Sequence, residues 1–370
     1  MSCSSMDGGL VGNPRYEHLR KDAERNLEVG RFLSAAREFQ VLSLMAEKDG
    51  AFELAGDFAA KSGDCWLKSG RHAAAAIMYE QAANYFHISG KTSPEKNYLR
   101  KAFMEFLLAS RTPQTSLLDK ASFLFRAAKC SLSLGDQDTA KRLLLKACDL
   151  SLSFAASSFS NNEYGFAVTH HLFAIKCCAE LGDKEKELQL HSLVCESFIH
   201  LIKSLIVTPS REQIASIQPL LKEWFSMLTA NNALKEHREQ ASELVSKLLS
   251  VALELKNPDI IRTVLDVLSE SDPALVADTL RKPSITASLT SFVSTLSAED
   301  NEFFPLLSLL QLLFKDVSGG SLINCLPEAT LHHLRKLLSK NILLSQVPDE
   351  LKSKLAAFSS NKLNDFEGDD

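Results

Sequence analysis

Glycine and proline are scarce in this chain: 15 Gly and 11 Pro among 370 residues, about 7% where average usage gives roughly 12%. That scarcity excludes extended β architectures, with their Gly- and Pro-rich turns, and Pro/Gly-rich linkers. A basic excess is lacking too. Lys and Arg total 41 against 46 Asp and Glu, a net charge of −5, whereas binding to a phosphate backbone draws on a cationic surplus. Nucleic acid is therefore not an expected partner. Long apolar runs are also missing. The longest, Phe303 to Phe314, spans 12 residues and contains Pro305, Ser308 and Gln311, short of the ~20 residues a bilayer-crossing helix needs. The opening residues show no basic stretch followed by an apolar one, so no secretory signal is expected and the chain is expected in the cytosol.

What is present is ordinary globular material. Hydrophobic residues at 45% and charged residues at 24% exclude disorder as the general state. Cys65, Cys130, Cys148, Cys177, Cys178 and Cys195 fall within apparent helices, where a free Cys behaves as a small apolar residue. Buried thiols are expected there rather than disulfides or ligands.

Helical periodicity begins near Tyr16. Phe32, Ala35, Ala36, Phe39, Leu42 and Met45 recur at intervals of three and four, one face of a helix. Helix stops recur at Gly30, Gly50, Gly70, Gly90, Gly135 and Gly182, so almost every body glycine reads as a terminator. Four of them, in RNLEVGRFLSAA, DCWLKSGRHAAAA, KCSLSLGDQDTA and KCCAELGDKEKE, join two helices, and Ala dominates the faces where the paired helices would meet. Successive intervals between these four are 40, 65 and 47 residues, too irregular for a strict 34-residue tetratricopeptide array. Thr92-Ser93-Pro94 reads as a Ser/Thr cap with Pro at the first helical position, and 111–115 and 158–163 as connectors. A helix opening at Thr208-Pro209-Ser210 is expected to bend or end at Pro219. Pro258, Pro273, Pro283 and Pro305 crowd the stretch after Asn257. The expected fold is all-α: an irregular tetratricopeptide-like stack of helical hairpins, an α-solenoid, closed by a C-terminal helical block. Its expected parts are a disordered leader over 1–14, the stack over 15–257, the block over 258–350 and a mobile acidic tail over 351–370.

Reaction chemistry is sparse. GxxxxGK followed by Ser/Thr, GxGxxG, HExxH, CxxC and GxSxG are all absent. His171 and Cys178 are seven apart and could share a helix face, with Cys195 approaching from the next helix; ordinary core and surface positions account for them better. The carboxylate pairs Asp136/Asp138 and Glu185/Glu187 read as solvated helix starts suited to the helix dipole. No catalytic residue, metal or cofactor is expected. FFPLLSLLQLLF, over 303–314, leaves only a narrow polar stripe. It reads either as a central helix of the C-terminal block or as a surface covered by another protein. The leucines of EATLHHLRKLLSKNILL are open to the same two readings. Candidate partner-binding residues are Phe303, Phe304, Leu307, Leu310, Phe314, Leu331, Leu334 and Leu338.

The stretch Leu33 to Phe86 resembles the opening helices of the forty-kilodalton huntingtin-associated protein family. Its marks are Glu38-Phe39, a helix rich in Ala and Cys from Ala55 to Cys65, and a helix that follows Gly70 and ends Ala82-Ala83-Asn84-Tyr85-Phe86. Arg126-Ala127-Ala128 with Ser131 to Gly135 is similar as well, and NEFFPLLSLLQLLF followed by ATLHHLRKLL is similar to that family's last two helices. The Pro-rich insertion of its vertebrate members has no counterpart here. This resemblance implies a non-catalytic subunit that binds and stabilises a large helical-repeat protein, huntingtin. It also implies a link to early endosomes through a Rab GTPase, and a cytoplasmic location with possible nuclear and endosomal pools. Leu54 to Gly70 is also similar to the soluble NSF-attachment family, which implies an adaptor in SNARE disassembly and vesicle fusion. That family's C-terminal acidic segment ends in a leucine, unlike Asp365 to Asp370 here.

Overall fold

The computed structural model describes residues 14–205, 211–230, 234–255, 257–269, 273–280, 282, 284–285, 287–289, 316–317 and 320–321. They form an all-α protein. The helices are α1 (Pro14–Glu28), α2 (Phe32–Lys48), α3 (Phe52–Lys68), α4 (His72–Ile88), α5 (Thr92–Arg111), α6 (Leu117–Ser133), α7 (Gln137–Ser160), α8 (Tyr164–Leu181), α9 (Lys184–Ser204), α10 (Arg211–Ala230), α11 (Leu234–Glu254), α12 (Pro258–Ser269) and α13 (Pro273–Leu280). A two-residue antiparallel pair, β1 (Asp316–Val317) with β2 (Gly320–Ser321), is the exception.

The glycine stops form as expected, and the hydrogen bonds explain them. Gly30, Gly50, Gly70, Gly90, Gly135 and Gly182 have φ between +70° and +88°. Each donates its N–H to the carbonyl three residues back, and the following residue donates to the carbonyl five back, as in Arg71 N to Trp66 O at 3.0 Å. This is the double bond of a Schellman cap, which satisfies the last carbonyls of a helix and turns the chain sharply. Asn162, at φ 63°, makes the same pair of bonds between α7 and α8. An Asn tolerates the left-handed region where most residues do not. The residue after each early glycine at once caps the next helix: Arg31, Ala51, Arg71 and Lys91 share φ of −81° to −100° and ψ of 62° to 76°. Helices of 17 residues with three-residue linkers therefore repeat every 20 residues from Gly30 to Gly90. The irregular spacing expected for the array holds only beyond that point.

Several local expectations change. Lys91, not Thr92 or Ser93, caps α5, so Pro94 occupies the third helical position, where its missing N–H is one the helix leaves unpaired in any case. α10 runs through Pro219 to Ala230. Asn257 Oδ1 accepts from Asp259 N and Ile260 N, with Pro258 first in α12. Two glycines are not stops at all. A Cβ on Gly56 would stand 3.0 Å from the Phe86 ring, and one on Gly63 2.7 Å from the Tyr79 ring. Both lie on the α3–α4 seam, seven residues apart on each side, so hydrogen in place of a methyl lets the two rings lie flat on the α3 backbone.

The chain divides into two compact units, Met1–Phe154 with Phe173–Asp183, and Ala155–Leu172 with Lys184–Asp370. In the first, each helix from α1 to α6 packs antiparallel on the next. Alternate helices also touch: Tyr16 of α1 meets Phe58 of α3 edge-on, Lys101 of α5 pairs with Asp64 of α3, and Arg126 of α6 with Glu80 of α4. Fully buried alanines, among them Ala35, Ala36, Ala55, Ala59, Ala75, Ala76, Ala82, Ala102, Ala127 and Ala128, allow this close approach. Buried hydroxyls tie neighbours together, Ser43 Oγ donating to Ala55 O and Ser62 Oγ to Ala36 O. In the second unit α11 packs on α9, α12 and α13, and α10 on α12, around Trp224, which meets Phe198 and Phe225. The composition shift at 257/258 lies inside this unit. The 1–14 leader up to residue 13, the 351–370 tail and most of the expected C-terminal block after residue 289 lie outside the described residues.

Candidate interaction surface

Groups that chemistry could use are occupied by packing. His171, Cys178 and Cys195 each take a different neighbour: His171 Nδ1 lies 3.2 Å from Ser197 Oγ, Cys178 Sγ lies 3.9 Å from Cys148 Sγ, and Cys195 Sγ donates to Leu244 O at 3.3 Å. Among the described residues no three His, Cys, Asp or Glu side chains are grouped to hold a metal. All six helical cysteines are buried thiols, as expected. Burial pushes the Cys130 and Cys195 thiols up to about 12, which leaves almost no thiolate, the form that attacks or ligates.

The second unit buries imidazoles. Trp224 Nε1 donates to His191 Nδ1 at 3.0 Å, so the neutral ring carries its proton on Nε2, which faces Glu187 Oε1 at 4.0 Å. Burial drives His191 down to about 4, and burial with the adjacent His170 drives His171 down to about 4. Both rings are uncharged at neutral pH. Glu187, expected as a solvated helix start, is only 8% exposed. α9 turns it inward one turn before His191. Asp136 does behave as expected: hydrogen bonds from the Thr139 side chain and backbone hold its carboxyl below the ordinary range at the start of α7.

A groove of about 490 Å³ opens in the first unit where α4, the start of α5 and the end of α6 converge, lined by Gln81, Asn84, Leu99, Cys130 and Ser133. Its charged rim is already paired: Glu80 with Arg126, His87 with Glu95, and Lys129 with Glu180. A smaller hollow of about 310 Å³ lies beside Phe52 and Ser89.

The less explained feature is apolar. Leu33, Val41 and Leu44 are 42%, 46% and 49% exposed and lie, with Arg37, along one line of α2 at helical spacing. The opposite face of that helix is buried through Ala35, Ala36, Phe39 and Leu42. Met104 and Leu108 form a shorter exposed pair on α5. These residues were passed over in the sequence because the core stripe satisfies the helical period. The signal was a second apolar line on the same helix, Leu33 to Leu44. The residues expected to bind a partner, Phe303, Phe304, Leu307, Leu310, Phe314, Leu331, Leu334 and Leu338, all lie outside the described residues. No helix among the described residues is long and apolar enough to cross a membrane.

No known family profile matches the chain, and no curated protein does. Among solved structures, one similar chain is described as a "Circular tandem repeat protein with novel repeat topology and enhanced subunit contact surfaces". The similarity extends over 93% of this chain and 88% of that one, at 14% identity and a TM-score of 0.27.

Proposed function

We propose that this chain is a non-catalytic interaction subunit that binds and stabilises a large helical-repeat protein. The observation that carries the reading is the two-sided helix α2: its inner face is already packed, yet Leu33, Val41 and Leu44 still face solvent. An apolar line of this kind, interrupted by Arg37, is suited to a partner helix. The resemblance of Leu33 to Phe86 to the forty-kilodalton huntingtin-associated family supplies the partner's identity, huntingtin, and the link through a Rab GTPase to early endosomes. Phe303 to Phe314 and Leu331 to Leu338 belong to the proposal as a second contact.

Co-expression tests it. The wild-type chain is expected to co-purify with huntingtin in equal amounts, and Leu33→Asp with Val41→Asp and Leu44→Asp to lower recovery at least tenfold while the variant keeps its helical circular dichroism. Recovery of SNARE proteins with a hexameric ATPase would instead support the NSF-attachment reading. Unchanged recovery of the triple variant would remove α2 from the interface.

A further inference from the structure

The antiparallel stack sorts its charges by edge. Linkers α1–α2, α3–α4 and α5–α6 emerge on one edge of the first unit, and linkers α2–α3, α4–α5 and α6–α7 on the other. Lys68, at the end of α3, lies 5.4 Å above the Phe32 ring at the start of α2, which joins two of these turns directly. On the first edge stand Arg25, Arg31, Lys68, Arg71 and Arg111, all exposed, with Lys120 half-buried, against the carboxylates Glu28 and Asp119. The second edge reverses the sign, with Glu47, Asp49, Glu53, Glu95, Asp136 and Asp138 against Lys48, Lys91 and Lys96. The two hollows described above open toward the second edge.

Two further observations bear on the first edge; Lys91 caps α5 on the second edge in the same geometry, but it pairs with Glu53. Arg31 and Arg71 occupy the N-cap positions of α2 and α4 in matching backbone geometry and supply no capping hydrogen bond. A cation there opposes the helix dipole where Ser, Thr or Asp would stabilise, so capping accounts for neither arginine, although Arg71 lies over the Trp66 ring at 5.9 Å. Among the described residues, none of Arg25, Arg31, Lys68, Arg71 and Arg111 has an ion-pair partner. Exposed aliphatic side chains sit among these cations: Val29 at the turn, 61% exposed, Leu33 at the second position of α2, and Leu108 and Leu117 on either side of the α5–α6 linker.

We propose that this edge rests on an anionic lipid surface. Cations without a carboxylate partner among the described residues, interleaved with aliphatic side chains at turn tips, match a planar negative layer into which short apolar groups can dip. The inference goes beyond the partner reading and does not depend on it, because the α2 line and this edge share only Leu33.

Vesicle flotation with the full chain provides the test. The chain is expected to float with phosphatidylcholine vesicles carrying roughly 30% phosphatidylserine and to remain in solution with phosphatidylcholine alone, binding less as salt rises above about 0.1 M. Each cation at such a surface is worth about fivefold in partition, so Arg31→Glu with Arg71→Glu should reduce flotation at least tenfold. Glu at an N-cap favours the helix dipole, so these variants retain the fold, as thermal melts by circular dichroism will show. Val29→Asp should weaken flotation as well, and Lys48→Glu with Lys96→Glu on the opposite edge should leave it unchanged. Equal flotation with neutral vesicles, flotation that survives the double reversal, or capture by an acidic peptide without any flotation would each overturn the proposal.

Discussion

Acid should loosen the second unit well before it reaches the first, and its buried imidazoles set how much: His171 and His191 most of all, with His170 also held below its ordinary value by burial. His171 and His191 are held down to about 4 from an ordinary value near 6.5. The unfolded chain therefore binds protons between these limits that the folded unit refuses. Stability is complete above about pH 6.5 and declines as pH falls toward 4. At about pH 5 each ring contributes a loss of roughly 2 kcal/mol, about 4 kcal/mol together, a large part of a domain's usual 5–15 kcal/mol. His170 beside His171, and Glu187 4.0 Å from His191 Nε2, are the other titratable groups in contact. The assay is urea unfolding followed by the fluorescence of Trp224, which hydrogen-bonds His191 directly, in a Trp66→Phe background that silences the first unit. The midpoint should fall by roughly 1.5 M between about pH 7.5 and pH 5. His191→Gln keeps an acceptor for Trp224 Nε1 and removes that ring's titration, so it should remove up to about half of the shift. An equal midpoint at both pH values, or a His191→Gln variant with the full shift, would refute the reasoning.

The α3–α4 seam makes a prediction opposite to helix propensity. Gly63→Ala should destabilise the first unit by about 1–2 kcal/mol, because a methyl 2.7 Å from the Tyr79 ring overpacks the seam by more than the ~1 kcal/mol that propensity returns. Combined with Tyr79→Leu in a thermal-melt double-mutant cycle, the loss should largely disappear. Gly70→Ala has open space for its Cβ but φ +75°, so strain alone should cost about 1–2 kcal/mol. Asn162→Gly should stabilise by up to ~1 kcal/mol for the same reason. Ser62→Ala, which removes the 2.7 Å bond to Ala36 O, should lower stability by about 1 kcal/mol in chemical unfolding.

The fold was legible where one residue type has one local use. A glycine at the end of a helical stretch can hardly be anything but a left-handed cap, and all six expected stops adopt that conformation. The alanine-rich faces were equally legible, because small residues at helical spacing indicate close helix contact before any partner is known. Gly56 and Gly63 were not legible: their need for hydrogen comes from rings on a helix more than 15 residues away, and nothing adjacent to them marks it. Asn162 carries no such signal, because Asn serves many turns, and the 20-residue period shows only when Gly50 and Gly90 are set beside Gly30 and Gly70. Glu187 illustrates a different limit. Its position near a helix start suggested solvent, but helix phase relative to the core, not distance from the terminus, decides burial. The candidate surface was least legible of all, since a second apolar line becomes visible only once the first has been assigned to the core.

The central claim is that this chain's exposed apolar lines serve a large helical-repeat partner. Light scattering on the chain co-purified with huntingtin measures that directly. The account predicts a single species whose mass equals one huntingtin plus one 40.8 kDa chain. Elution of the two proteins as separate species at micromolar concentration, each with its own mass, would contradict it.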